Sequence, residues 1–169
     1  GTLAFNHSDA LTIAGVISGT GTVTQIGAGT TSLAGANTYS GTTTISAGTL
    51  SVGAGGATGA LGTGTTTNDA TLLFNRTGAL TIASAISGTG VVNQIGAGTT
   101  TLTGANSYSG TTTISAGTLQ VGAGSTTGTL GTGAVVNDGI LGFSRSASIT
   151  VANDISGTGA LTKTNAGTN

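Results

Sequence analysis

The titratable chemistry of this chain, tyrosine aside, rests on eight side chains: Asp9, Asp69, Asp138, Asp154, His7, Arg76, Arg145 and Lys163. There is no Glu and no Cys. Glycoside chemistry needs two carboxyl groups about 5–10 Å apart. Asp69 and Asp138 stand one 69-residue repeat apart, which the coil count below converts to roughly 14 Å, too far for a pair. Each follows an Asn, and the dipeptide reads as a turn before a strand. A nucleophile–base–acid arrangement needs His beside a hydroxyl and a carboxylate. His7 has Ser8 and Asp9 as neighbours, but the same positions one repeat later are Arg76, Thr77 and Gly78. The constellation does not recur, so His7, Arg76 and Arg145 read as one solvated turn position. Residues 53–59, GAGGATG, lack the Gly-Lys-Ser/Thr ending and following helix of a phosphate loop, and read as a flexible corner. The calcium β-roll pattern, with Asp in each turn, is absent. Tyr39 and Tyr108 could stack on a ligand, but following an Asn turn they read as packing groups. No catalytic, cofactor-binding or metal-ligating residue is assigned, no cofactor is expected, and the chain is not expected to be an enzyme.

What positions so few reactive groups is legible in the composition. Of 169 residues only 4% are charged, against about 25% in an average soluble domain. Thr and Gly dominate, at 38 and 33, while Pro, Cys, Met and Trp are absent. Thr, Val and Ile suit pleated surfaces, and Gly and Asn suit the turns between them, so the chain reads as all-β. Mean hydropathy is positive, unlike that of a charge-rich disordered tail. The net charge of −1 supplies no basic face for phosphates, which argues against nucleic acid and anionic lipid as partners. No apolar run approaches the roughly 18 residues of a membrane-spanning helix. The sequence starts and stops in mid-pattern, and reads as a fragment of a longer protein.

The pattern is a repeat. Ile17-Ser18-Gly19-Thr20-Gly21 returns at Ile86–Gly90 and at Ile155–Gly159, in steps of 69. Residues 2–70 and 71–139 agree at 50 of 69 positions, and 140–169 begin a third unit. No spacer interrupts the register, so residues 1–169 read as a single continuous unit. Short alternating runs lie between Gly, Asn, Ser and Asp turns. Grouped in threes from residues 2, 22, 49 and 71, they predict a parallel β-helix with three strands per coil and about three coils per repeat. About seven coils, each rising ~4.8 Å, predict a rod on the order of 35 Å long. Alternation places Leu3, Phe5, Thr43, Ile45, Leu50 and Val52 inward.

One segment is distinctive. Residues 25–53, QIGAGTTSLAGANTYSGTTTISAGTLSVG, recur with few changes at 94–122. The run resembles the autotransporter-associated β-strand repeat, or passenger-associated transport repeat, approximately LTKxGxGTLTLSGxNTYSGGTTIxxGTLxV. The matching pieces are residues 35–41, then Thr43-Thr44-Ile45, Ala47-Gly48-Thr49-Leu50 and Val52; Leu161-Thr162-Lys163 fits the opening in the third unit. Gln25 and Gln94 stand where the family has Lys, and Thr42 and Thr111 where it often has Gly; these departures read as surface and turn chemistry. The resemblance implies a right-handed β-helical passenger, exported by a Gram-negative bacterium and anchored by a C-terminal β-barrel outside this sequence. In that bacterial setting the sequons Asn6-His7-Ser8 and Asn75-Arg76-Thr77 are read as unmodified.

The expected function is therefore structural or adhesive: an extracellular rod for surface display, adhesion or self-association, by coil-end stacking or rod-to-rod contact, with cell-surface or matrix targets. The segment itself is not expected to enter a membrane. Two other readings stand beside it. A tailspike or polysaccharide-binding β-helix would need a cleft of clustered Asp, Arg or Lys, which this inventory does not supply. An ice-binding solenoid would use flat Thr-x-Thr arrays, of which Thr42/Thr44 and Thr65/Thr67 give a piece. The array is expected to be interrupted, because the neighbouring coil reads Val16-Ile17-Ser18 and the second unit replaces Thr65–Thr67 by Ala134-Val135-Val136.

Overall fold

The computed structural model describes residues 1–165, and the described residues form short strands, turns and corners without a helix. Every strand pairing is parallel, each strand lying beside its counterpart one coil away. The strands make three sheets that form the faces of a β-solenoid. The first sheet contains Thr2–Phe5, Thr22–Gln25, Thr43–Ile45, Thr66–Asn68 and Ile86–Ser87. The second runs nearly the whole length, from Ala10–Ile13 to Ile155–Ser156, in eight strands. The third contains Leu80–Ile82, Thr99–Leu102, Thr118–Ser125, Ile140–Arg145 and Ala160–Lys163. Eight turns at ~4.8 Å each give a rod about 40 Å long.

Alternation sorts the side chains as the sequence predicts. Ile45, Leu50 and Val52 are fully buried, and so are their equivalents Ile114, Leu119 and Val121. Along the second sheet, one inner column stacks Leu11, Thr31, Leu50, Leu72, Val92, Thr112, Val135 and Ile155 in register. Each coil is too thin to cover its own apolar face, so burial comes from the coils above and below. The terminal coils show the consequence: Leu3 is 42% exposed, whereas Leu72, at the same repeat position, is fully buried.

That column also fixes the phase of the repeat. Leu11 to Ile155 spans 144 residues in seven steps, about 20.6 per coil, so 69 residues cover three coils and one further face. Thr2 accordingly lies in the first sheet, Thr71 in the second and Ile140 in the third, although all three share one repeat position. The grouping from residues 2, 22, 49 and 71 placed Thr49 and Thr71 on the face of Thr2; the register moves both to the second sheet. The corners cause the difference. Their lengths vary, so one coil step takes 19 residues (Thr30 to Thr49) and another 23 (Thr43 to Thr66).

Candidate functional site

The polar residues of the recurring segment lie mostly inside the rod, and each does a definable job there. Gln25 is fully buried. Its Nε2 donates to the carbonyls of Gly27 at 2.8 Å and Gly29 at 3.2 Å, and its Oε1 accepts from the Thr31 hydroxyl at 2.6 Å. Gln94 repeats the first contact, donating to Gly96 O at 2.7 Å. A buried corner must satisfy its carbonyls, and a neutral amide does so without the desolvation cost of an ammonium. The expectation that Gln25 and Gln94 are surface substitutions is therefore corrected: they are interior corner ties.

Asn37 joins three coils. Its Oδ1 accepts from Ile17 N at 2.8 Å, and its Nδ2 donates to Ala60 O at 2.7 Å. Asn106 does the same between Ile86 N, at 2.9 Å, and Thr129 O, at 2.7 Å. Two residues on, Tyr39 and Tyr108 are buried, their hydroxyls 2.7 and 2.8 Å from Thr43 and Thr112 Oγ1. They are packing groups, as expected. Burial pushes the Tyr108 phenol above its ordinary pKa, opposed by the hydrogen bonds of Thr112 and the Gly131 backbone. Gly48 turns the next corner with φ +62°, where a Cβ would meet Gly27 O and Gly29 O at 2.4 Å; Gly117 repeats it.

His7 sits in a chain of contacts with the outline of a catalytic triad. Its Nδ1 is 3.1 Å from Asp9 Oδ1, and its Nε2 is 2.8 Å from Thr31 Oγ1. The hydroxyl partner is Thr31, from the coil above, not the sequence neighbour Ser8. Spacing along the chain could not reveal that partner. Thr31 is fully buried and its proton goes to Gln25 Oε1, so this hydroxyl has neither a path to a substrate nor a free proton for His7 to take.

Arg76 and Arg145, expected as solvated turns, are latches. Arg76 Nη1 donates to Gly59 O at 2.7 Å and Nη2 to Ala57 O at 2.5 Å. Arg145 reaches Gly128 O at 2.6 Å and Thr126 O at 2.5 Å. The loops 53–59 and 122–128 are thus pinned, each by the guanidinium of the coil above. Partial burial lowers the pKa of Arg76, yet a guanidinium remains cationic. The carboxylates are similarly engaged: Asp69 Oδ1 accepts from Thr89 N and Oγ1 at 3.0 and 3.2 Å, and Asp138 from Thr158 at 2.9 and 3.0 Å.

Two openings remain. One, about 150 Å³, lies between residues 60–63 and 80–84. The other, about 310 Å³, lies between 129–132 and 149–153 and includes Leu130, Phe143 and Val151. They are the same place in successive repeats. Asn153 crosses the second, donating to Gly131 O at 2.9 Å and Gly133 O at 2.6 Å. No group of three metal-ligating side chains occurs among the described residues.

The interior ties coincide with a known unit: the model of the passenger-associated-transport-repeat matches residues 23–52 and again 92–121. The chain carries two passenger-associated transport repeats. Each supplies one buried Gln, one three-coil Asn, one buried Tyr–Thr pair and one corner Gly. The chain is also similar to the adhesin BmaC autotransporter of Brucella suis biovar 1 (strain 1330), 41% identical over 124 residues, covering 73% of this chain. It spans about 4% of the length of that protein. No solved structure matches the chain. The repeats and this relative make the chain an autotransporter passenger segment of β-helical fold. Because a repeat advances by three coils and one face, the two transport repeats start on different sides of the rod: the first with Val23 in the first sheet, the second with Val92 in the second.

Proposed function

We propose that this segment is a non-catalytic length of an adhesive surface rod. The observation that carries the reading is the engagement of its reactive groups: the Thr31 hydroxyl, both arginines, Asp69 and Asp138 are all held in coil-to-coil hydrogen bonds. The adhesin autotransporter to which the chain is similar supports the adhesive part. An outer face nearly free of charge offers hydroxyls and methyls for many weak contacts, to a cell surface, to matrix or to a second rod. In the full-length protein a C-terminal barrel would anchor the rod outside the cell.

The test is surface display. The segment is fused to a signal peptide and an unrelated autotransporter barrel, expressed in a non-adherent Gram-negative host, and compared with the barrel alone. Increased retention on matrix-coated wells, or sedimentation of the cells by mutual adhesion, is expected. Equal behaviour of the two strains, with the segment shown on the surface by antibody, overturns the adhesive reading. Hydrolysis of a polysaccharide by the purified segment would overturn the non-catalytic one.

A further inference from the structure

The register assembles a surface that the linear sequence hides. In the first sheet Thr22 and Thr24 lie beside Thr42 and Thr44, and these beside Thr65 and Thr67, in three consecutive coils. All six alternate with buried neighbours and face outward. The two ranks extend by one residue each, to Thr2 at one end and Ser87 at the other. Val16-Ile17-Ser18 belongs to a different face and does not interrupt the array. The equivalent rank in the second unit is rotated onto the second sheet, where Val91/Asn93 and Ala134/Val136 leave only Thr111/Thr113.

We infer that this first-sheet array is a binding face for an ordered water lattice, that is, for the surface of ice. Three features point to that ligand. The first is spacing. Hydroxyls repeat at about 4.8 Å between coils and roughly 6.7 Å along each strand, a grid close to the oxygen repeat on the prism faces of hexagonal ice. The second is stiffness. Thr is β-branched and restricted at χ1, and the parallel ladder holds the ranks in register, so the hydroxyls and methyls present a fixed pattern; Thr22 Oγ1 already donates to Thr2 Oγ1 at 3.0 Å. The third is neutrality. No charged residue lies within the array, so the face has no ion whose hydration shell would disorder the adjoining water. A polysaccharide surface is disfavoured because its sugars are held largely by aromatic stacking, and both tyrosines are buried. The inference is independent of the adhesive reading, since either can hold without the other.

The purified segment is assayed for thermal hysteresis and for inhibition of ice recrystallisation at rising concentration. Concentration-dependent activity is expected. Thr44→Lys, at the centre of the array and pointing outward, should abolish it. Thr113→Lys, at the same repeat position on the second sheet, should leave it intact. Thr44→Val with Thr67→Val, which keeps shape and β-propensity, serves should the lysine variant misfold, and should also lose activity. Absence of activity in segment shown by circular dichroism to be folded overturns the inference. Equal loss from Thr113→Lys, or activity unchanged in both Thr44 variants, overturns it as well.

Discussion

Arg76 closes over Gly59, donating at 2.7 Å to its carbonyl from the coil above while its second nitrogen takes Ala57 O. Gly59 has φ +119°, and Gly53 and Gly55, at the other end of the same loop, are also left-handed. A loop so rich in glycine loses much conformational entropy on ordering, and the guanidinium supplies two charge-assisted bonds that offset part of it. Arg76→Ala should cost about 1–3 kcal/mol, the range for hydrogen bonds to a charged group, with the lower end favoured by partial exposure. Hydrogen exchange should quicken first at residues 54–58. Exchange at the wild-type rate in this variant would show that the loop holds itself. Because Arg76 and Arg145 are both engaged in this way, trypsin should cleave the folded segment slowly at either.

Leu3 and Leu72 separate repeat position from coil position. They are equivalent in the 69-residue unit, but one is 42% exposed and the other fully buried. Leu72→Ala should cost about 2–5 kcal/mol, the usual loss for a core Leu, whereas Leu3→Ala should cost less than about 1 kcal/mol. Denaturant titration of both variants distinguishes them. Equal costs would mean that the first coil is covered in solution.

Much of this fold was legible in the sequence, because alternation of side chains depends only on neighbours two residues apart. Leu50-Ser51-Val52 declares its inner face without reference to the rest of the chain. The phase of the repeat was not legible, since it is a sum over all corners of a repeat, and corners differ by a few residues that no local pattern announces. The same cause hid the threonine array: Thr24, Thr44 and Thr67 are neighbours only after two corners of different length have been counted. The latches were missed for a related reason. The partners of Arg76 lie 17 and 19 residues away, and a lone Arg after an Asn looks like a solvated turn until the coil beneath it is in place. His7 found its hydroxyl partner 24 residues away for the same reason. The buried Gln25 and Gln94 were misread because their place in the family pattern is taken by Lys, a residue that suggests the surface.

Tyr39 and Gly62 are fitted to one another. A Cβ on Gly62 would lie 2.2 Å from Tyr39 O and 2.4 Å from ring atom Cδ2. Gly62→Ala should therefore force the ring or the coil to move, at a cost of about 1–3 kcal/mol for overpacking. Tyr39→Phe tests the polar end: it keeps the ring but leaves the buried Thr43 hydroxyl without its phenolic partner, for a loss of about 1–2 kcal/mol. If Tyr39→Phe relieves the cost of Gly62→Ala, the hydroxyl contact and not the ring is what resists displacement; additive costs measured in the double variant would assign the clash to ring and backbone.

The pH dependence of stability should be carried by the buried phenol. Burial raises the pKa of Tyr108 above its ordinary 10.0 in the folded chain. A group whose folded pKa is raised binds its proton more tightly in the native state than in the unfolded one. Its contribution is fully present below the unfolded value, and is lost as pH rises through that value toward the folded one. The thermal midpoint should therefore stay nearly flat between about pH 5 and 9 and decline above about pH 10, where the unfolded chain releases the proton that the native state still holds. Tyr108→Phe removes the ionisation and should flatten the alkaline limb relative to wild type, at the expense of a lower midpoint at neutral pH because Thr112 loses its partner. Thermal melts followed by circular dichroism from pH 5 to 11 give the comparison directly. A strong slope between pH 5 and 9 would reveal a second ionisable site with a native-state preference. An alkaline decline that persists unchanged in Tyr108→Phe would transfer the effect from Tyr108 to another group.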